Sequence, residues 1–237
     1  ALSSTNDLLI TSTNGSVVLN GSTMAGGNLT IEAINDLLAV GLIQSGLNLN
    51  ITSSNGGVTT NGAVISSGLL AINAKDNVTL NDEVNVVLAS NINSDSNIII
   101  NNAFSSDGRT QLLAAGSVAI NADTAIQNDL VINSGDNVIL NGNLTIDGLL
   151  DVDAVNTVSV TADKTLAITK ETNLDASNVM MASNSTIDSE GAVQISSTQD
   201  TVVHNIDAES LIKISAENIT INGMLDAIAS IDLDSVG

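Results

Sequence analysis

The residues able to do chemistry are few, and their spacing does not favour it. His204 is the only histidine. Nucleophilic catalysis needs a base within reach of its nucleophile, and a histidine metal site needs further ligands. A lone His therefore reads as a corner residue. Cysteine is absent, which excludes a disulfide framework and any thiolate metal site. The five cations, Lys75, Arg109, Lys164, Lys170 and Lys213, are scattered along the chain. A polysaccharide lyase would need cations clustered beside acids and a cleft lined with aromatics, yet Phe104 is the only aromatic. No catalytic residue and no cofactor is expected.

Three acidic stretches invite a calcium reading: "NDE" at 81–83, "DVD" at 151–153 and "DLD" at 232–234. The paired glycines and Asp of calcium-binding nonapeptide repeats are missing, as is EF-hand spacing. In DVD and DLD the acids flank an apolar residue, so alternation sends both to solvent. No metal site is expected. Asn-x-Ser/Thr occurs at Asn14, Asn20, Asn28, Asn50, Asn77, Asn143, Asn184 and Asn218. Chance alone gives about six such triplets at this Asn, Ser and Thr content, so the count is no sign of glycosylation. The threonine pairs "TVSVT" and "VTTN" are isolated and form no ice-binding array.

One residue type does recur with a period. Asn20, Asn61, Asn81, Asn101, Asn121, Asn141 and Asn222 each follow an alternating apolar tripeptide, and the five from Asn61 to Asn141 are spaced by 20. The tripeptides end at Leu19, Val40, Thr60, Leu80, Ile100, Ile120, Leu140 and Val160, a step of 20 from Val40 onward. The signal then drifts through Met180 or Met181, Val203 and Ile221. A second ladder runs through Ile10, Ile31, Ile51, Ile72, Ile92, Ile132, Val152, Ile195 and Ile214. A third, weaker one passes Val64, Phe104, Leu144, Ile146 and Leu166.

Each unit thus holds three short segments of period-2 alternation, which is strand rather than helix. β-Branched Val, Ile and Thr suit them. A propeller blade needs about 40 residues, and the leucine-rich signature is absent. A sandwich of meanders would not keep a constant step. The spacing predicts an all-β, right-handed parallel β-helix of about eleven coils of about 20 residues. It would run as one continuous domain over 1–237 and span roughly 50 Å at ~4.8 Å per coil. Val138, Leu140, Leu144 and Ile146 should point inward; Thr79, Ile139 and Thr145 should point outward. Stacked asparagines would then form a structural ladder, each amide donating and accepting. Asn also tolerates the left-handed conformation that a sharp corner requires, and Gly142 should help turn that corner.

The acid excess, 26 against 5 basic residues and a net charge of −21, excludes nucleic acid, which needs clustered Lys and Arg, and disfavours anionic membrane. No apolar run approaches the ~20 residues of a membrane helix, so no insertion is expected. The opening "ALSSTND" has neither a basic nor an apolar signal region. Both ends fall inside the repeat without a cap, so the chain reads as a segment of a longer rod or a unit that stacks end to end.

The stretches "GNLTIDGLLDVDA", "DLLITSTNGSVVLNG" and "ESLIKISAENITING" resemble filamentous-haemagglutinin-type repeats. These belong to large bacterial exoproteins of the two-partner secretion system. Their pattern is Gly-x-Leu-x-Ile-x-Ala followed by x-x-Val-x-Leu-x-Gly. The resemblance implies a secreted or surface-anchored fibre whose shaft projects an adhesive or toxic tip. Shaft repeats carry no functional residues, so none transfers. The family's secretion domain carries Asn-Pro motifs, and this chain has no proline.

The expectation is a non-catalytic structural shaft of an extracellular bacterial adhesin or surface filament. Its partners would be other copies or flanking segments of the same fibre, with host-surface or matrix glycans as the fibre's targets. The alternative is a glycan-binding or glycan-cleaving β-helix of the phage tailspike kind.

Overall fold

Period-2 alternation with one apolar face has to bury that face, and here it does so against itself. The computed structural model describes residues 1–235. It is all-β, with parallel strands in three sheets that wind as a β-solenoid of about 12 turns. Each turn of about 20 residues gives one strand to each sheet, here called A, B and C in the order the chain reaches them. Among the described residues the strands of sheet C number eleven, whereas A and B have twelve each. The apolar tripeptides of the sequence are the strands of sheet C, which explains a count of eleven.

In residues 1–116, sheet C contains Val17–Leu19, Leu37–Ala39, Val58–Thr60, Val78–Leu80 and Ile98–Ile100. Each strand from Leu37–Ala39 onward buries its first and third residues and leaves the middle one half-exposed. The register is residue on residue: Val58 opposes Val78, which opposes Ile98. Sheet B strands are longer, five residues in Leu70–Ala74, with Leu70, Ile72 and Ala74 inward. Phe104 lies in sheet A, 1% exposed, in register with Val84. Fully burying a Leu or Ile contributes about 1.5–3 kcal/mol, and each coil repeats that gain.

One assignment from the sequence is corrected. Val40 is not a core rung: the strand is Leu37–Ala39, and Val40 is 43% exposed at the corner where other coils carry Asn. The step from Ala39 to its partner Thr60 is therefore one residue longer than the step from Thr60 to Leu80.

In residues from Ser117 onward, sheet C holds Val118–Ile120, Val138–Leu140, Thr157–Val160, Asn178–Met181, Asp200–Val203 and Asn218–Ile221. Val138, Leu140, Leu144 and Ile146 are each 0% exposed, while Ile139 is half-exposed and Thr145 exposed. The drift after Val160 has a local cause. Leu144 pairs with Leu166, a longer step, because the corner Thr161–Lys164 carries extra residues. The corner Ala182–Ser185 does the same. Each lengthened corner turns on a left-handed residue, Asp163 at φ 60° and Asn184 at φ 59°, types that adopt this region most readily outside glycine. Asp200 then pairs with Asn218, a shorter step, so the register drifts back.

Candidate functional site: an asparagine ladder at one corner

The corner that follows the sheet C strands brings five of the seven periodic asparagines into ladder bonds, while Asn20 stands opposite Val40 and Asn222 opposite His204. Asn81 donates Nδ2 to Asn61 Oδ1 at 2.8 Å, and Asn101 donates to Asn81 Oδ1 at 2.7 Å. Further along, Asn141 donates to Asn121 Oδ1 at 2.7 Å, and the Thr161 hydroxyl donates to Asn141 Oδ1. The backbone is tied as well: the N–H groups of Asn61, Asn81 and Asn141 donate to Ala39, Thr60 and Ile120 at 2.7, 2.8 and 2.8 Å. Each rung thus bonds to its neighbouring coil through main chain and side chain.

The conformational reason expected from sequence does not hold. None of these asparagines has a positive φ; among the described residues Asp163 and Asn184 are the non-glycine residues that do. The corner is turned with ordinary backbone, so amide chemistry alone accounts for the Asn. Gly142 is likewise not at positive φ. Its role is close approach: a Cβ there would lie 2.0 Å from the Ala122 carbonyl oxygen.

Other ladders escaped the sequence reading. Asn93 donates to Asn73 Oδ1 at 2.9 Å, and Asn97 donates to Asn77 Oδ1 at 2.9 Å. Asn143 donates to Asp123 Oδ1 at 3.1 Å, and Asn156 donates to Asp136 Oδ1 at 2.7 Å. Ser117 Oγ donates to the other Asp136 oxygen at 2.8 Å. The hydrogen bonds from Asn156 and then Ser117 hold the Asp136 carboxyl below its ordinary pKa. A search for any Asn or Asp pair 20 apart would have found all four.

The acidic stretches do not converge. Glu83 N–H donates to Asp82 Oδ1 at 2.8 Å, and Asn85 donates to Glu83 at 2.9 Å. Asp151 and Asp153 flank buried Val152 on the outer face of sheet B, where Asp153 opposes Asp175. Partial burial, then the charges of Asp153 and Asp151, raise the Asp175 pKa. In "DLD", Ile231 and Leu233 register with buried Ile212 and Ile214 but are each 45% exposed. On sheet A, Asp188, Asp207 and Asp226 stand in register and exposed. Their steps depart from 20, which hid the column from sequence. Among the described residues no three His, Cys, Asp or Glu are placed to hold a metal ion.

The basic residues are dispersed. Lys75 pairs with Asp95 one coil on, a contact that raises the Lys75 pKa, and Lys170 lies 3.7 Å from Asp129. Lys213 registers with Asp232. Arg109 edges a shallow groove of about 330 Å³ with Leu69, Ala71, Ala89, Asn91 and Gln111. His204 is half-exposed just after the strand Asp200–Val203. The chain matches no family model, no curated protein and no solved structure.

Proposed function

We propose that this chain is a non-catalytic structural shaft of an extracellular bacterial adhesin or surface filament, which associates with other copies or flanking segments of the same fibre. One observation carries this reading. Among the described residues no connection between strands is longer than Ser12–Ser16, five residues, and most are three. Binding and catalytic sites are disproportionately built on loops held by a scaffold, and these corners are already filled by ladders that tie coil to coil. A fold spent on uniform stacking suits a spacer. The resemblance of "GNLTIDGLLDVDA" to haemagglutinin-type shaft repeats supports the same reading.

The test is a glycan array and a panel of polysaccharide substrates, combined with electron microscopy of the purified chain. No glycan bound at micromolar strength, no hydrolysis, and particles joined lengthwise or in fibres are expected. Micromolar binding of a defined glycan, or its cleavage, would favour the tailspike-like alternative and overturn the proposal.

A further inference from the structure

Four Asn–Gly pairs occupy the same corner in different coils: Asn20–Gly21, Asn61–Gly62, Asn141–Gly142 and Asn222–Gly223. Their sequence neighbours are similar and their ladder partners are not. Asn20 makes no side-chain hydrogen bond among the described residues, because the next coil offers Val40 at that position, and Asn222, exposed beside exposed Gly223, makes none either, with His204 opposite it. Asn61 accepts one, from Asn81. Asn141 has two, donating to Asn121 and accepting from Thr161. Accessibility follows the same order. Asn20 is exposed with Gly21 half-buried, Asn61 is exposed with Gly62 buried, and Asn141 is half-buried with Gly142 buried.

Asn–Gly is the dipeptide in which the following backbone nitrogen is least hindered. After losing its proton to solvent base, that nitrogen attacks the Asn Cγ. The new C–N bond closes a five-membered imide, and the Cγ–Nδ2 bond breaks, releasing ammonia. Water then opens either C–N bond of the imide, giving Asp or isoaspartate. To react, the side chain must fold back on its own backbone. A laddered amide must first give up its inter-coil bonds, and at Asn141 one of these is made by the nitrogen that has to leave.

We propose that Asn20 and Asn222 are sites of spontaneous deamidation, and that the asparagine ladder protects Asn61 and Asn141 from the same reaction. The ladder is then a chemical safeguard as well as a structural one. Isoaspartate inserts an extra backbone atom into a coil whose register is set residue by residue, and either product replaces a donor with a carboxylate.

The experiment is timed incubation of the folded chain in warm, mildly alkaline buffer, with peptide mapping by mass spectrometry. The expected order of rates is Asn20 and Asn222, then Asn61, then Asn141, with about a fivefold decrease per hydrogen bond. Val40→Asn places an amide between Asn20 and Asn61 at an exposed position, and should slow both sites by about fivefold. Thr161→Val should speed reaction at Asn141. In denaturant the four rates should converge. Equal rates in the folded chain, an order that persists in denaturant, or no change at Asn20 in a folded Val40→Asn variant would overturn the proposal.

Discussion

Asn81 and Asn61 lie 20 residues apart in sequence and 2.8 Å apart between Nδ2 and Oδ1. Asn81 also accepts from Asn101 at 2.7 Å, so it is a rung bonded on both sides. A net hydrogen bond contributes about 0.5–1.5 kcal/mol, and exposed ones fall at the low end. Asn81→Ala should therefore lower stability by about 1 kcal/mol in urea unfolding. A double-mutant cycle of Asn61→Ala with Asn81→Ala should return a coupling of about 0.5 kcal/mol. Additive losses would mean that the ladder bond contributes nothing.

Leu140 and Ile139 are adjacent and face opposite ways. Leu140 is fully buried and Ile139 half-exposed. Leu140→Ala should cost about 2–5 kcal/mol, and Leu140→Asp or Ile120→Asp should disrupt the coil by burying an unpaired charge. Ile139→Asp should shift thermal unfolding far less. Equal shifts for Leu140→Asp and Ile139→Asp would mean the facing is wrong.

Two glycines separate crowding from mere flexibility. At Gly142 a Cβ would meet backbone at 2.0 Å, whereas at Gly15 its nearest neighbour is Ser12 Oγ at 3.7 Å. Gly142→Ala should destabilise by at least about 2 kcal/mol, because two coils must separate. Gly15→Ala should be neutral or stabilise by about 0.4–1 kcal/mol through the unfolded chain. Urea midpoints of the two variants make the comparison.

Asp136 and Asp175 should respond to pH in opposite senses. The Asp136 pKa is lowered by hydrogen bonds from Asn156 and Ser117. Its stabilisation is present above the unfolded value of about 3.9 and lost as pH falls through the folded value. Asp136→Asn should thus destabilise at pH 7 and converge with the parent in strong acid. The Asp175 pKa is raised by burial and by Asp153 and Asp151. Its contribution favours folding below the unfolded value and is lost as pH rises through the folded one. Asp175→Asn should therefore stabilise at pH 7, by tenths of a kcal/mol after solvent screening, and the gain should vanish in acid. Unfolding midpoints against pH measure both.

Much of the fold was legible because inward residues repeat at a nearly constant step, as from Val58 through Val78 to Ile98. Val40 was misplaced because Ala39 and Val40 are both apolar, and periodicity cannot choose between them. The inward hydroxyls were not legible at all. Ser66 is 0% exposed and donates to the Leu69 carbonyl at 3.0 Å, and Ser106 does the same to Leu88 at 2.9 Å. They satisfy corner carbonyls from inside the solenoid, where composition alone suggests surface. For the ladder, spacing placed the amides together. It could not reveal that these asparagines avoid the left-handed region, since corner conformation depends on loop length, as the Asp163 and Asn184 corners demonstrate.

The central claim is that coils are interchangeable spacers in a 20-residue register. Deleting residues 81–100 removes one whole coil and joins Leu80 to Asn101, which occupies the corner position that Asn81 held. Deleting only 81–90 places sheets out of phase. Circular dichroism with thermal unfolding is the direct measurement. The account requires the first deletion to keep a β spectrum and a cooperative transition near that of the parent, and the second to lose them. Loss of folding in both, or retention in both, would contradict it.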